Sequence, residues 1–168
     1  SGHNMYGKLA ESWKIAPDMT SVTFNLKKGV KSHWGNELTA EDVKWSWDRK
    51  LALGAIGGFF ASVIGLSKPE QIQVDGKYTV SFRLDKPAPM LMRLHRNPYN
   101  NILDSKKCKE VATSEDPWCK EWLKNNVAGY GPYNLVSIDR GTSAVAKARK
   151  DYYGKKPAID TFIMQEVT

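Results

Sequence analysis

The chain has 168 residues, enough for one sizeable core and, by default, one domain. Hydrophobic residues make up 41% and charged residues 26%, the balance of a folded globular protein, and no apolar run is long enough to read as a membrane span. The net charge of +7 comes from basic residues in twos and threes (Lys27/Lys28/Lys31, Lys106/Lys107/Lys109, Lys147/Arg149/Lys150, Lys155/Lys156) with no long basic run, so they read as a solvated surface and nucleic acid is not an expected partner, a basic nucleic-acid-binding module standing only as the alternative.

The first four residues, Ser1-Gly2-His3-Asn4, stand before Met5 as a cloning remnant would, and nothing at this end has the form of a signal peptide. Leu9, Trp13 and Ile15 share one face of a strand expected over 8–15, with Glu11 interrupting it. Pro17-Asp18 turns the chain into a second strand over 20–27, where Val22, Phe24 and Leu26 alternate with polar residues, and the two should pair antiparallel. The stretch from Lys28 to Leu38 is a turn. In it Trp34 is read as a cover over the first hairpin, because Gly35 lets the chain fold back, with an exposed contact as the alternative.

Thr39-Ala40-Glu41-Asp42 has the form of a helix start: the Thr39 hydroxyl can accept from a first-turn N–H, and Glu41 and Asp42 sit where the helix dipole favours negative charge. Val43, Trp47 and Leu51 then recur four apart, predicting a helix over 40–53 that lies on the sheet and stops at Gly54. Residues 55–66 suggest a short helix. Phe59 and Phe60, beside Gly57-Gly58, could form an apolar platform, although burial beneath the helix is the simpler reading.

A hairpin over 72–84 follows, with Ile72 and Val74 on one strand, Tyr78, Val80, Phe82 and Leu84 on the other, and Asp75-Gly76 as the turn. Pro87-Ala88-Pro89 starts a helix whose Met90, Leu91 and Leu94 form a core stripe. Then come a short strand at 101–103 and two polar helices over 105–112 and 117–126, the second with Trp118 and Trp122 four apart. Past Gly129 three strands are expected, over 133–138, 143–148 and 159–167. Strands and helices so intermixed make an α/β or α+β domain, with a mixed sheet and flanking helices. No phosphate-cradling glycine loop and no G-x-S-x-G elbow occur, and His33 and His95 are isolated from metal-ligand spacings. No catalytic residue, metal or cofactor is expected.

Several blocks in order carry a resemblance: Leu9-Ala10-Glu11-Ser12-Trp13, Phe24-Asn25-Leu26-Lys27-Lys28-Gly29-Val30-Lys31, Gly35, Leu38-Thr39-Ala40-Glu41-Asp42-Val43, Gly129-Tyr130-Gly131-Pro132-Tyr133-Asn134-Leu135 and the stretch from Asp151 to Asp160. Together they resemble the peptide-type (family 5) solute-binding proteins of ABC importers, over nearly the whole chain. Two positions depart from that pattern: Ser32 stands where a large apolar residue is usual, and Trp34 where an acidic one is.

The resemblance implies part of a type II periplasmic binding protein lobe. Residues 6–128 would be a small subdomain of the first lobe and 129–168 returning strands of an incomplete main lobe, with 1–5 outside both. Such proteins are bilobed and much longer, so open sheet edges and dimerisation through them are expected. The implied activity is capture of peptides, or second of oligosaccharides, for an ABC permease, without chemistry, in the periplasm or at a membrane anchor outside the cell. Tyr130 and Tyr133, flanking Gly131-Pro132, are candidates for a ligand cleft, and so are Phe59, Phe60 and Trp34. An oxidising compartment would favour a Cys108–Cys119 disulfide, contributing about 2–3 kcal/mol, over two separate buried thiols.

Overall fold

In the computed structural model, which describes residues 6–90 and 100–166, strands β1 (Ala10–Ile15) and β2 (Ser21–Leu26) pair antiparallel with Trp13 opposite Phe24. Asp18 closes their turn by accepting from both the N–H and the hydroxyl of Thr20. Strand β4 (Thr79–Arg83) pairs with the other side of β2, and β3 (Ile72–Gly76) with β4, giving the antiparallel order β1-β2-β4-β3. Alternation sends Val22, Phe24, Leu26, Val80 and Phe82 to one face of this sheet, where they are buried.

The hairpin forms where the alternation places it, but its turn is displaced by two residues. Gly76 still pairs with Thr79, so the turn residues are Lys77 and Tyr78 in place of Asp75-Gly76. Other parts of the chain hold that shifted turn. The Ala40 N–H donates to the Lys77 carbonyl at 2.8 Å and the Leu26 N–H to the Tyr78 carbonyl at 2.7 Å. Glu37 accepts from the Tyr78 hydroxyl at 2.9 Å and the Lys77 ammonium at 3.0 Å. With the Gly29 N–H, these donors hold the Glu37 carboxyl down to about 2.

Helix α1 (Ala40–Leu53) lies across the buried face of that sheet, with Trp47 edge-on to Phe82 at 5.5 Å. At its start Asp42 accepts from the Thr39 N–H at 2.7 Å and from the Thr39 hydroxyl at 2.9 Å. At its end Gly54 takes φ +65° and returns its N–H to the Lys50 carbonyl at 3.0 Å. Helix α2 (Ala55–Val63) follows directly and packs against α1. Its glycine pair permits the close approach: a Cβ on Gly57 would lie 3.2 Å from Lys50 Cγ, and one on Gly58 3.2 Å from the Lys50 carbonyl oxygen. Lys50 is thereby buried, its Nζ donating to the Asn101 carbonyl at 2.9 Å, and burial lowers its pKa to about 7.

Helix α3 (Ser105–Val111) starts on Asp104, whose carboxylate accepts from the Lys107 N–H at 2.9 Å. The strand expected at 101–103 does not form. There the Leu103 N–H donates to the Ser46 hydroxyl of α1, so this extended stretch docks on a helix instead of pairing with a strand. The helix expected over 117–126 shrinks to one 3₁₀ turn at Trp122–Lys124, because Cys119 adopts φ +57° and breaks the helical path. Trp118 stacks on Trp45 and Trp122 on Trp34, each pair at 5.6 Å, so their four-residue spacing is not a helical stripe. Cys108 and Cys119 are fully buried free thiols in one cluster.

Strands β5 (Tyr133–Asp139), β6 (Ser143–Ala148) and β7 (Thr161–Gln165) form a second antiparallel sheet in that order. β7 is exposed along its whole length, with Phe162 and Met164 alternating with Ile163, so both faces present apolar side chains. The α/β class holds, with helices packed on the first sheet, but the mixed sheet expected is corrected: among the described residues the strands form two sheets, both antiparallel throughout. Most of the helix expected after Pro87, with its Leu91 and Leu94, lies outside the described residues, as do residues 1–5 and Val167.

Candidate functional site

The turn at 31–36 and the segment at 128–133 meet where the chain passes from the first sheet to the second, and two polar side chains, Arg149 and His33, fasten them. Arg149, at the end of β6, is 2% exposed. Its guanidinium donates to the carbonyls of Ser32 at 2.9 Å, Lys31 at 3.1 Å and Gly131 at 3.3 Å, and to the Asp151 carboxylate at 3.0 Å. A planar fork of donors suits carbonyls converging from several directions, which a lysine could not serve together. The expectation that this arginine belongs to a solvated basic cluster is therefore corrected.

His33 is the second fastener. Its Nδ1 accepts from the Gly129 N–H at 3.0 Å, so the neutral ring must carry its proton on Nε2, which lies 2.7 Å from the Tyr133 carbonyl and donates to it. A proton on Nδ1 would set two donors face to face. Burial accordingly holds this imidazole below its ordinary value; the Arg149 charge acts in the same direction and Asp151 opposes it. As pH falls below about 6.5, the unfolded chain takes up a proton that the folded chain refuses, until the depressed folded pKa is passed. Stability should be full above that window and decline through it. In urea unfolding between about pH 7 and about pH 5, the wild-type chain should lose stability relative to His33→Gln, and parallel curves would refute this tautomer.

Asp104, which is fully buried, ties the same turn to the start of α3. It accepts from the Ser32 hydroxyl at 2.5 Å and from the Asn36 amide at 3.0 Å while capping α3. Here the first departure from the family pattern finds its reason: a hydroxyl at position 32 is tolerated because a carboxylate meets it. The second departure is answered by the same segment. Trp34 donates its indole N–H to the Val127 carbonyl at 2.9 Å, stacks on Trp122, and lies 4.4 Å from the Lys107 ammonium. It is 48% exposed and contacts residues 107–127, so its expected role as a cover over the first hairpin is corrected.

The other candidate cleft residues are scattered. Tyr130 is 4% exposed, its ring in the main core and its buried hydroxyl without a hydrogen-bond partner among the described residues, and burial first, then the charges of Asp42 and Asp104, push its pKa far up. Tyr133 opens β5 and donates its hydroxyl to the Ile159 carbonyl at 3.0 Å. Phe60 packs on the core. Phe59, 63% exposed, forms a surface stripe on α2 with Ile56 and Val63, so the expectation of burial is corrected. A shallow groove of about 570 Å³ beside β3 is lined by Glu41, Lys44, Glu70 and Asp75, and touches none of these five residues. Among the described residues no group of histidine, cysteine or carboxylate side chains could hold a metal ion. The arrangement is a hydrogen-bonded joint, with the candidate aromatic rings dispersed around it.

A family model described as bacterial extracellular solute-binding proteins, family 5 middle, matches residues 4–168. A probable D,D-dipeptide-binding periplasmic protein of Escherichia coli is 34% identical over 152 residues, 90% of this chain and 28% of that protein. The dipeptide-binding protein of the same species is 33% identical over 171 residues, 92% of this chain and 31% of that protein. The chain thus spans less than a third of the length of these relatives. Among solved structures, the periplasmic binding protein DppA of Helicobacter pylori in complex with the peptide STSA superposes with a TM-score of 0.79 at 24% identity, over 95% of this chain and 33% of that one. MoaA of A. tumefaciens in complex with mannopinic acid gives 0.79 at 27% identity, over 96% of this chain and 31% of that one.

Proposed function

This chain belongs to the bacterial extracellular solute-binding proteins, family 5, and on that premise we propose that it is part of a protein that captures short peptides outside the cytoplasm and hands them to an ABC permease. The observation that carries this reading is the family match across residues 4–168, joined to relatives named for dipeptide binding. The proposed mechanism is closure of two lobes on the solute, with no covalent step, the closed form being the one the permease reads. Residues 6–128 contribute the small subdomain and 129–168 the first strands of a larger lobe, with Arg149 and His33 fastening one to the other. Of the candidate rings, Phe59 and Trp34 are the ones with exposed faces to offer a ligand. A second reading is supported by the likeness to MoaA in complex with mannopinic acid: a ligand of that kind in place of a peptide.

The test uses the complete polypeptide that carries this sequence, melted with di- and tripeptides, with mannopinic acid and with oligosaccharides. A peptide present at about 100 times its dissociation constant should add about 2.7 kcal/mol of stability, and Phe59→Ala should weaken that response without lowering the unliganded melting temperature. A response to mannopinic acid or an oligosaccharide with none to peptides would replace the first reading. The 168-residue chain alone is melted across a concentration series in parallel. We propose that its open β7 edge pairs with a second copy, which would make its melting temperature concentration-dependent.

A further inference from the structure

Residues 104–128 answer both unusual positions of the 31–36 turn, Ser32 through Asp104 and Trp34 through Trp122 and Lys107. The same segment contains both cysteines of the chain. Its backbone brings them together without help from either sulfur. Cys108 lies on α3, set by the Asp104 cap, with its N–H on the Asp104 carbonyl at 3.0 Å. Between the two, the Asp116 N–H donates to the Thr113 hydroxyl at 3.1 Å, and the Cys119 N–H donates to the Asp116 carbonyl at 3.1 Å. Asp116 also takes the N–H groups of Lys120 and Glu121, at 2.8 and 2.7 Å, which holds Cys119 at φ +57°. Both thiols end fully buried in one cluster beside Trp45 and Ala128.

We propose that Cys108 and Cys119 are a redox modification site, oxidised to an intramolecular disulfide that clamps the 104–128 segment beneath the turn. The step is dithiol–disulfide exchange with an external disulfide, either a small-molecule disulfide or an oxidising protein. One cysteine, as thiolate, attacks the external disulfide, forming a mixed disulfide and releasing one external thiolate. The second cysteine, also as thiolate, then attacks the sulfur of the first, forming the Cys108–Cys119 bond and releasing the second external thiolate. The two protons shed by the cysteines are taken up by the two released thiolates. The chain is oxidised by two electrons and the external disulfide is reduced to two thiols. Burial raises both thiols above their ordinary value, so the folded dithiol presents almost no thiolate. Exchange therefore takes place while the segment is still open during folding, and the finished bond is shielded afterwards.

The test is to refold the reduced chain with a mixture of oxidised and reduced glutathione, and separately under full reduction, then to count thiols in denaturant. Oxidative refolding should leave no titratable thiol in monomeric chain, lower the mass by two hydrogens and raise the melting temperature, a gain lost on reduction. Tryptic cleavage after Lys107, Lys109 and Lys120 leaves Cys108 on a dipeptide and Cys119 on residues 110–120, which should run as one species until reduced. The folded dithiol form should resist alkylation that the unfolded chain undergoes readily. Two titratable thiols after oxidative refolding, or glutathione adducts and intermolecular dimers in place of the internal bond, would overturn the proposal. None of these readouts depends on a folded variant or on the identity of the transported solute.

Discussion

Arg149→Met should destabilise the chain by about 3–5 kcal/mol in urea unfolding, among the largest losses a single polar substitution can cause. Methionine keeps much of the apolar stem and removes every donor. The carbonyls of Lys31 and Gly131 then lose a donor in a part-buried site while the buried Ser32 carbonyl keeps only the Gly35 N–H, each unsatisfied acceptor costing about 1–3 kcal/mol, with partial relaxation keeping the sum below simple addition. Arg149→Lys should recover less than half, because one ammonium cannot serve three carbonyls in different directions. Asp151→Asn should cost less than Arg149→Met, since that side chain is 61% exposed and its remaining amide oxygen can still accept from the guanidinium. The contrast identifies the carbonyls as what matters. Arg149 also joins the sheets, so in Arg149→Met the second sheet should melt ahead of the first and probes on the two sheets should cease to coincide. Coincident transitions with a small loss would mean that the guanidinium is replaceable by water.

What could be read in advance was what depends on near neighbours in the chain. The alternation of Val22, Phe24 and Leu26, the four-residue spacing of Val43, Trp47 and Leu51, and the stop at Gly54 all act within a few residues, and β2 and α1 lie where those patterns put them. The misplaced turn after β3 had a good local signal in Asp75-Gly76. Bonds from Leu26, Glu37 and Ala40 outweighed it. The same competition explains residues 117–126, where two tryptophans at helical spacing are drawn to separate partners. Arg149 was illegible for a further reason. Its neighbours Lys147 and Lys150 suggest solvent, while the groups that bury it come from more than a hundred residues earlier. His33 and Asp104 were hidden likewise, since a histidine or an aspartate carries no mark of a carbonyl or hydroxyl that only the fold supplies. The family blocks did place both ends of the joint, at Lys31 and at Gly129–Tyr133, without naming what fastens them.

Asp104→Ala tests whether the 104–128 segment and the turn at 31–36 are one energetic unit. The carboxylate is fully buried and serves the Ser32 hydroxyl, the Asn36 amide and the first turn of α3 together. Loss of the helix cap alone should cost about 1 kcal/mol, and each hydrogen bond to a charged acceptor contributes about 1.5–3 kcal/mol. Because the three bonds share one anchor they do not sum, and a loss of about 4 kcal/mol is expected. Ser32→Ala alone should cost less: it deletes one donor, and its methyl suits a position where this family usually has an apolar side chain. The decisive measurement is the double variant. If Ser32 and Asp104 form one device, its loss should fall short of the sum of the singles by about 1–3 kcal/mol. Strict additivity would mean that Ser32 is held by its backbone alone, and that the carboxylate acts only as the cap of α3. Asp104→Asn separates these cases further. An amide still caps the helix but has one acceptor oxygen where the carboxylate has two, so it should keep α3 and lose the grip on the turn. Trp34 stacked on Trp122 should report that release as a change in tryptophan emission before global unfolding.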